Sequence, residues 1–166
     1  MQIGVVADTH GHREFTMNAV RMLSSLGVDQ VIHCGDVGSA ELLELFGQWP
    51  LHVVRGNVDR DAELKASAAE LSTCTYHGDF GELALVDHRI AFLHGDDQSR
   101  LESTIESGDW DLVCHGDLVC HGHTHVARRE RVGTIFVLNP GAVYRARQQS
   151  IAVVQLLPLE ATIVPI

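Results

Sequence analysis

Apolar and polar positions along this chain fall into short blocks that predict strands emptying into polar loops. Residues 2–7 form a β-branched apolar run ending at Asp8-Thr9-His10-Gly11, the pattern of a buried strand. Residues 14–26 set Phe15, Ala19, Met22, Leu23 and Leu26 at helical spacing and stop at Gly27, which predicts a helix with a glycine terminator. Residues 30–33 predict a second strand, running out into Cys34-Gly35-Asp36, and Ser39 is placed to cap a helix over 40–46. A third strand over 51–55 runs out into Gly56-Asn57-Val58-Asp59. Three such units in succession predict parallel βαβ winding.

The second half predicts mostly strands. Residues 60–75 are rich in Ala and Glu without a clean period, and predict a loop with one short helix. Residues 82–86 and 89–93, joined at Asp87-His88, predict an antiparallel hairpin whose second strand runs into His94-Gly95-Asp96. A helix over 100–107 precedes two apolar triplets, 112–114 and 118–120, and then Gly122-His123-Thr124-His125. Strands over 127–132 and 134–138, a turn at Asn139-Pro140-Gly141, and strands over 151–157 and 161–166 follow. This order predicts an α/β fold of two stacked sheets flanked by helices. Residues 111–116 and 117–122 carry the same six letters, Asp-Leu-Val-Cys-His-Gly. The simplest reading is a duplication absorbed in a surface connection.

Composition narrows the class. A chain of 166 residues predicts one domain, 1–166, that buries about two-thirds of its unfolded surface. With aromatics at 5%, its core must rest on Val, Leu, Ile and Ala. Net charge is 12 − 22 = −10, which argues against stable binding to a nucleic-acid backbone. A phosphate substrate stays compatible, because bound divalent cations reverse the local field. Cys34, Cys74, Cys114 and Cys120 form no CxxC pair, and the chain opens on an apolar run without a basic leader. No apolar run reaches the roughly 18 residues of a membrane span. Free, mostly buried thiols, a cytoplasmic location and no membrane contact are the expectations.

Asp8, His10, Asp36, Asn57, His94, His123 and His125 each stand just past an apolar strand. In an open α/β sheet the loops at the carboxyl ends of parallel strands gather into a ligand crevice. All seven offer carboxylate, imidazole or amide oxygen and none a thiolate, a set suited to Mn, Fe, Mg or Zn. Seven exceed the roughly three protein ligands of a single catalytic ion. They fit two ions about 3.5–4 Å apart with one bridging carboxylate. Asp36 is the natural bridge.

Asp8-x-His10, Gly35-Asp36, Gly56-Asn57-x-Asp59, His94-Gly95 and Gly122-His123-Thr124-His125 stand in order, each after an apolar strand. The set resembles the five motifs of the calcineurin-like metallophosphoesterase superfamily. The phrases Ala7-Asp8-Thr9-His10-Gly11 and Asn139-Pro140-Gly141-Ala142 further resemble its small YfcE-type bacterial and archaeal phosphodiesterases. The likeness covers nearly the whole chain and is loosest at 60–80 and 105–120. It implies a four-layer αββα sandwich of two mixed sheets. It also implies one ion on Asp8, His10, Asp36 and His125 and another on Asp36, Asn57, His94 and His123. Mn2+ is the leading candidate, with Fe, Ni, Mg and Zn as alternatives. The implied activity is hydrolysis of a phosphoester, first a phosphodiester, by in-line attack of a water or hydroxide bridging the ions. Asp36 and Asn57 would take part in catalysis, with Asp59 orienting ligands.

The chain departs from the wider superfamily at Val58, where many members carry a His acting on the leaving group or phosphate. Small YfcE-like members commonly lack it too. Losing a general acid costs about 10²–10⁴-fold, so slow turnover of esters with poor leaving groups is implied. The fold also resembles the retromer subunit, a scaffold for partner proteins that has lost catalysis through its metal site. Here no ligand position is altered, and only the repeat before Gly122 could displace His123 and His125. Expected partners are a small phosphodiester or nucleotide-like substrate, and the chain is compatible with a homo-oligomer. Asn57 and His12 are the substrate-contact candidates, although for His12 a solvated helix start is the simpler reading. His33 reads as a packed, hydrogen-bonded core residue and Cys34 as small packing. His52, His77 and His88 read as surface residues, and His115 and His121 as non-ligands within the repeat. Asn139-Pro140-Gly141 would support the site through a backbone turn, and Arg145 and Arg147 could meet phosphate.

Overall fold

The computed structural model describes residues 1–107 and 117–166. Its first half runs β1 (Gln2–Val6), α1 (Arg13–Ser25), β2 (Gln30–His33), a 3₁₀ segment (Ala40–Phe46), β3 (Leu51–Val53), α2 (Asp61–Glu70) and β4 (Cys74–Tyr76). There follow β5 (Phe80–Leu85), β6 (His88–Leu93), α3 (Gln98–Ser107), β7 (Leu118–Cys120), β8 (Arg128–Val132), β9 (Ile135–Asn139), β10 (Ser150–Leu156) and β11 (Leu159–Pro165). One sheet has the order β11-β10-β1-β2-β3-β4, and β1 to β4 pair in parallel. The other has the order β5-β6-β7-β9-β8, with β6, β7 and β9 parallel and an antiparallel strand at each edge.

The period-2 alternation of each strand builds three apolar layers. Ile3, Val5 and Ile32 from the first sheet meet Phe92, Leu118 and Leu138 from the second in the seam between the sheets. Val6, Val31 and Val53 point the other way, against Leu23, Leu43, Phe46 and Leu64 of α1, the 3₁₀ segment and α2. Leu101 and Ile105 of α3 cover Leu93, Val119 and Val137 on the outer face of the second sheet. The result is helix, sheet, sheet, helix, the expected four-layer α/β sandwich of two mixed sheets. Parallel strands covered on both faces need continuous apolar sequence, and that is why β1 and β2 read so plainly.

Several details differ from the sequence reading. Residues 40–46 are 3₁₀ rather than α-helical, and Ser39 makes no side-chain cap. Residues 60–75 hold the expected short helix, α2, ten residues long, and then a strand, β4, in place of the expected loop. The helix shows no clean period because it buries only Leu64 and Ala68, a stripe one residue wide. Strand β4 escapes the sequence reading because it is a three-residue edge, partly exposed. The hairpin turn is Val86-Asp87, one residue earlier than expected, since Leu85 pairs with His88. α3 begins at Gln98, where the Asp97 carboxylate accepts the Arg100 N–H at 3.0 Å. The second copy of the repeated hexamer is no surface loop. Its Leu118–Cys120 is the fully buried central strand β7. The first copy, with Cys114, His115 and the 112–114 triplet, lies outside the described residues. Among the described residues no helix is long and apolar enough to cross a membrane.

Candidate metal centre

The two sheets deliver their strand ends to one place. Asp8 and His10 follow β1, Asp36 follows β2, and Asn57 follows β3. His94 follows β6, while His123 and His125 follow β7. His10 Nε2 lies 3.0 Å from His125 Nε2 and 3.8 Å from Asp36 Oδ2. Asp8 Oδ1 is 3.4 Å from His125 Nε2 and 3.9 Å from His10 Nε2. On the other side of Asp36, Oδ1 is 3.3 Å from His94 Nε2. Asn57 Oδ1 stands 3.1 Å from His94 Nε2 and 3.2 Å from His123 Nδ1. All seven sequence candidates therefore meet, in two groups that touch at Asp36. Asp8 belongs to both three-residue sets whose donor atoms lie within 4.8 Å of one another: Asp8, His10, His125 and Asp8, Asp36, His94.

The backbone is bent to achieve this. Asp8, His10, Asp36, His123 and His125 all hold positive φ, between 46° and 67°. Such conformations are sparsely populated by non-glycine residues and cluster at functional sites. Backbone bonds pin the loops: the N–H of Asp8 donates to the Gly35 carbonyl and that of His10 to the Asp36 carbonyl, each at 3.0 Å. Gly56 is required by packing. A Cβ there would fall on the side chain and backbone nitrogen of Asp36.

Two observations test whether cations fit these residues. Asp8 Oδ1 is buried and, among the described residues, has no hydrogen-bond partner; an orphaned carboxylate oxygen is costly unless a charge meets it. His94 Nδ1 lies 2.9 Å from the Cys34 carbonyl, which can only accept, so the ring's proton belongs on Nδ1. Its Nε2 then faces two oxygens, an arrangement satisfied by a cation or a second proton. Donors held about 2.1 Å from one ion stand about 3.0–4.2 Å apart, the spacing seen at this site. The residues fit divalent ions. His125 is oriented in the same way, with Nδ1 3.2 Å from the Arg145 carbonyl.

Burial pushes the Asp8 carboxyl up to about 7, although the neighbouring His94 and His125 pull it down. Burial also pushes Asp36 up, but the hydrogen bond from His94 and the N–H of Val58 outweigh it, leaving Asp36 below the usual carboxylate value. Burial lowers His94, yet Asp36 more than restores it. Burial lowers His10, with Asp36 opposing. Without ions, the site thus carries one carboxylate that holds its charge readily and one that does not.

Asp59 ties two loops together. Its carboxylate accepts the N–H groups of Gly38 at 2.7 Å, Gly56 at 2.8 Å and Val37 at 3.1 Å. The Val58 side chain is 46% exposed, but its N–H donates to Asp36 Oδ1 at 3.0 Å. That contact is independent of side-chain identity. Replacing Asp59 by Ala should release both loops, since bonds to a charged acceptor are worth about 1.5–3 kcal/mol each. The expected result is a kcat drop of about tenfold or more with weakened metal affinity, read by titrating activity with Mn2+.

The remaining candidates sort differently from the sequence reading. His12 is not a solvated ring: it stacks on Tyr144 at 4.2 Å and meets the edge of Phe15 at 4.8 Å. His33 is the expected packed residue, with Nε2 3.1 Å from Thr9 Oγ1 and Nδ1 accepting the Gly35 N–H at 3.2 Å. His52 and His77 are partly buried and face each other at 3.1 Å, while His88 Nε2 lies 2.7 Å from the Leu156 carbonyl. They are not free surface residues: β3 and β6 carry His52 and His88, and His77, just past β4, packs its ring on Phe92 at 5.0 Å. Asn139 supports the site with its side chain: Nδ2 donates to the Gly122 carbonyl at 2.8 Å and lies 3.1 Å from Thr124 Oγ1. Tyr144 N–H donates to the Asp8 carbonyl at 3.0 Å. The supporting role of Asn139 is the one expected from the sequence, carried by its side-chain amide as well as by the turn, whereas the Tyr144 contact runs through main-chain atoms that no residue type reveals. Arg145 and Arg147 are exposed. Cys34 and Cys120 are buried, with thiols pushed up by burial.

The model of the calcineurin-like phosphoesterase superfamily domain matches residues 1–161. The chain belongs to that superfamily. Within it, the chain is 31% identical over 144 residues to Phosphodiesterase MJ0936 of Methanocaldococcus jannaschii, covering 85% of this chain and 83% of that one. A solved structure described as a novel archaeal phosphodiesterase superposes with a TM-score of 0.88 at 28% identity, over 100% of both chains. The phosphoesterase YfcE from E. coli shares the fold, with a TM-score of 0.70 at 19% identity over 99% of this chain and 98% of that one. The expected enzyme class, a hydrolase of phosphoric esters, is the class of this superfamily.

Proposed function

We propose that this chain is a phosphodiesterase working with two divalent ions, of which Mn2+ is the first to try. The carrying observation is the convergence of seven intact donor side chains on Asp36, with Asp8 Oδ1 buried and unpartnered among the described residues. Asp8, His10, Asp36 and His125 would hold one ion, and Asp36, Asn57, His94 and His123 the other. When bound, such ions lower the pKa of a water and neutralise charge on phosphoryl oxygens. The chain's own part is positioning. The Cys34 and Arg145 carbonyls hold the Nδ1 protons of His94 and His125, so that Nε2 faces the centre. The Val58 N–H and the His94 ring keep Asp36 ionised. No acidic side chain stands at Val58 to protonate a leaving group, which favours esters with good leaving groups.

Metal analysis of the purified protein, coupled to Mn2+-dependent hydrolysis of bis-p-nitrophenyl phosphate, tests this reading. Two ions per chain and activity that vanishes with chelator are expected. A single ion per chain would overturn the dinuclear centre. A protein that stays inert with Mn2+ would overturn catalysis and favour a scaffold of the same fold.

A further inference from the structure

A groove of about 790 Å3 runs between α3 and β8, and His123 and Thr124 line the end where it meets the candidate metal centre. Its volume falls in the roughly 300–1,000 Å3 range of small-molecule sites. Leu101 and Ile105 form one apolar wall, and Val126, Ala127 and Val132 the other. Val126 and Val132 are 66% and 38% exposed, so this wall offers apolar surface to an occupant.

The charged groups here are mostly carboxylates, and the Gln98 amide already donates to Glu102 at 2.7 Å. Asp96, Glu102 and Glu106 supply carboxylates, and among the described residues Arg128 is the cationic side chain lining the groove, with its Nε donating to Glu130 at 2.7 Å. His121 also lines the groove and is 2% exposed. Its Nδ1 lies 3.2 Å from the Gly122 carbonyl, which can only accept, so Nδ1 carries the proton and Nε2 a lone pair. The Asn139 amide also approaches Nδ1, at 3.3 Å, but its two hydrogens have closer acceptors in Gly122 and Thr124. Among the described residues Nε2 has no partner.

We propose that this groove is the subsite for the organic arm of the phosphoester, and that the arm is an apolar body bearing hydrogen-bond donors or positive charge. The inference rests on the phosphoesterase reading of the metal centre. Continuity with His123 lets one molecule place phosphate at the ions and its arm in the groove. The three carboxylates repel an anionic arm, and a donor would satisfy His121 Nε2.

Binding of four phosphonates to the Mn2+-loaded protein, measured by calorimetry, tests the proposal: methyl-, phenyl-, 4-aminomethylphenyl- and 4-carboxyphenylphosphonate. The aminomethylphenyl compound should bind tightest and the phenyl compound about tenfold tighter than methyl, about 1.4 kcal/mol. The carboxyphenyl compound should bind weaker than phenyl. Ala127→Trp and Val132→Trp, both on the open wall, should bring the phenyl-to-methyl ratio close to one. Equal affinities in the unaltered protein, or ratios that survive both variants, overturn the subsite. If methylphosphonate itself fails to bind, the phosphoesterase reading falls and the subsite with it. A second copy of the chain as occupant would appear as a dimer dissociated by Val132→Trp with phosphonate ratios unchanged, and would also overturn the assignment.

Discussion

Asp36→Ala should lower Mn2+-dependent hydrolysis of bis-p-nitrophenyl phosphate on the order of 10³-fold or more. Asp36 reaches both groups through its two oxygens, with Oδ2 3.8 Å from His10 and Oδ1 3.3 Å from His94. Its loss therefore removes a donor from each proposed ion and the shared charge between them. Asp36 also holds φ at 53°, where Ala is strained by about 1–2 kcal/mol and Asn is better tolerated. Asp36→Asn separates the two effects, since it keeps the backbone and one oxygen but not the charge. Both variants should lose activity, and Asp36→Asn should melt closer to the unaltered protein than Asp36→Ala. His94→Ala should behave like Asp36→Ala. Activity retained in Asp36→Asn within a factor of about ten would sink the bridging role.

The metal-free protein should lose stability steeply as pH falls from 6.5 toward 4. Burial holds His77 and His121 down to about 4 and His33 to about 3, against 6.5 for an ordinary ring. A lowered folded-state pKa means the unfolded chain takes up these protons first. The stability contributed by the neutral rings is full above pH 6.5 and is lost as pH drops through the window to about 4 and below. Asp8 acts the other way: its carboxyl is raised by burial from 3.8 to about 7, so it opposes folding increasingly as pH rises from about 4 to 7. Three rings outweigh one carboxyl, so the net slope is toward greater stability at higher pH. A tenfold shift in proton affinity is worth about 1.4 kcal/mol, so the rings together withdraw several kcal/mol. Urea midpoints in chelator at pH 7 and pH 4.5 read the effect. Asp8→Asn should raise the midpoint at pH 7 while losing activity, and an unchanged midpoint would contradict the burial of that carboxyl with Oδ1 unpartnered among the described residues.

The parts most legible in sequence were those where one residue type does one job over a local span. β1 and β2 announced themselves because a strand covered on both faces must be apolar throughout. The seven donors were legible because each stands directly after such a strand. Less legible were elements whose partners are remote or whose signal is thin. α2 buries two residues per ten, and β4 exists only because β3 offers it an open edge. His52 and His77 looked like surface residues because nothing local says that Phe92, on the other sheet, lies 6.4 Å and 5.0 Å from their rings. Asn139-Pro140-Gly141 reads as a turn that supports the site, but only the fold shows that the Asn139 amide does so by reaching back across seventeen residues to Gly122. In the repeated hexamer, identical letters gave no hint that the second copy holds a buried strand, and the first copy lies outside the described residues.

Asp8, His10, Asp36 and Asn57 come from one sheet, and His94, His123 and His125 from the other. The centre is thus a seam as well as a site. Ions seated there would rivet the upper rim of the sandwich, adding to the apolar layer that glues its interior. Half of the chain alone could supply neither complete donor set, so high-affinity metal uptake must await the docking of both sheets. A chelator, for the same reason, would act as a mild wedge between them.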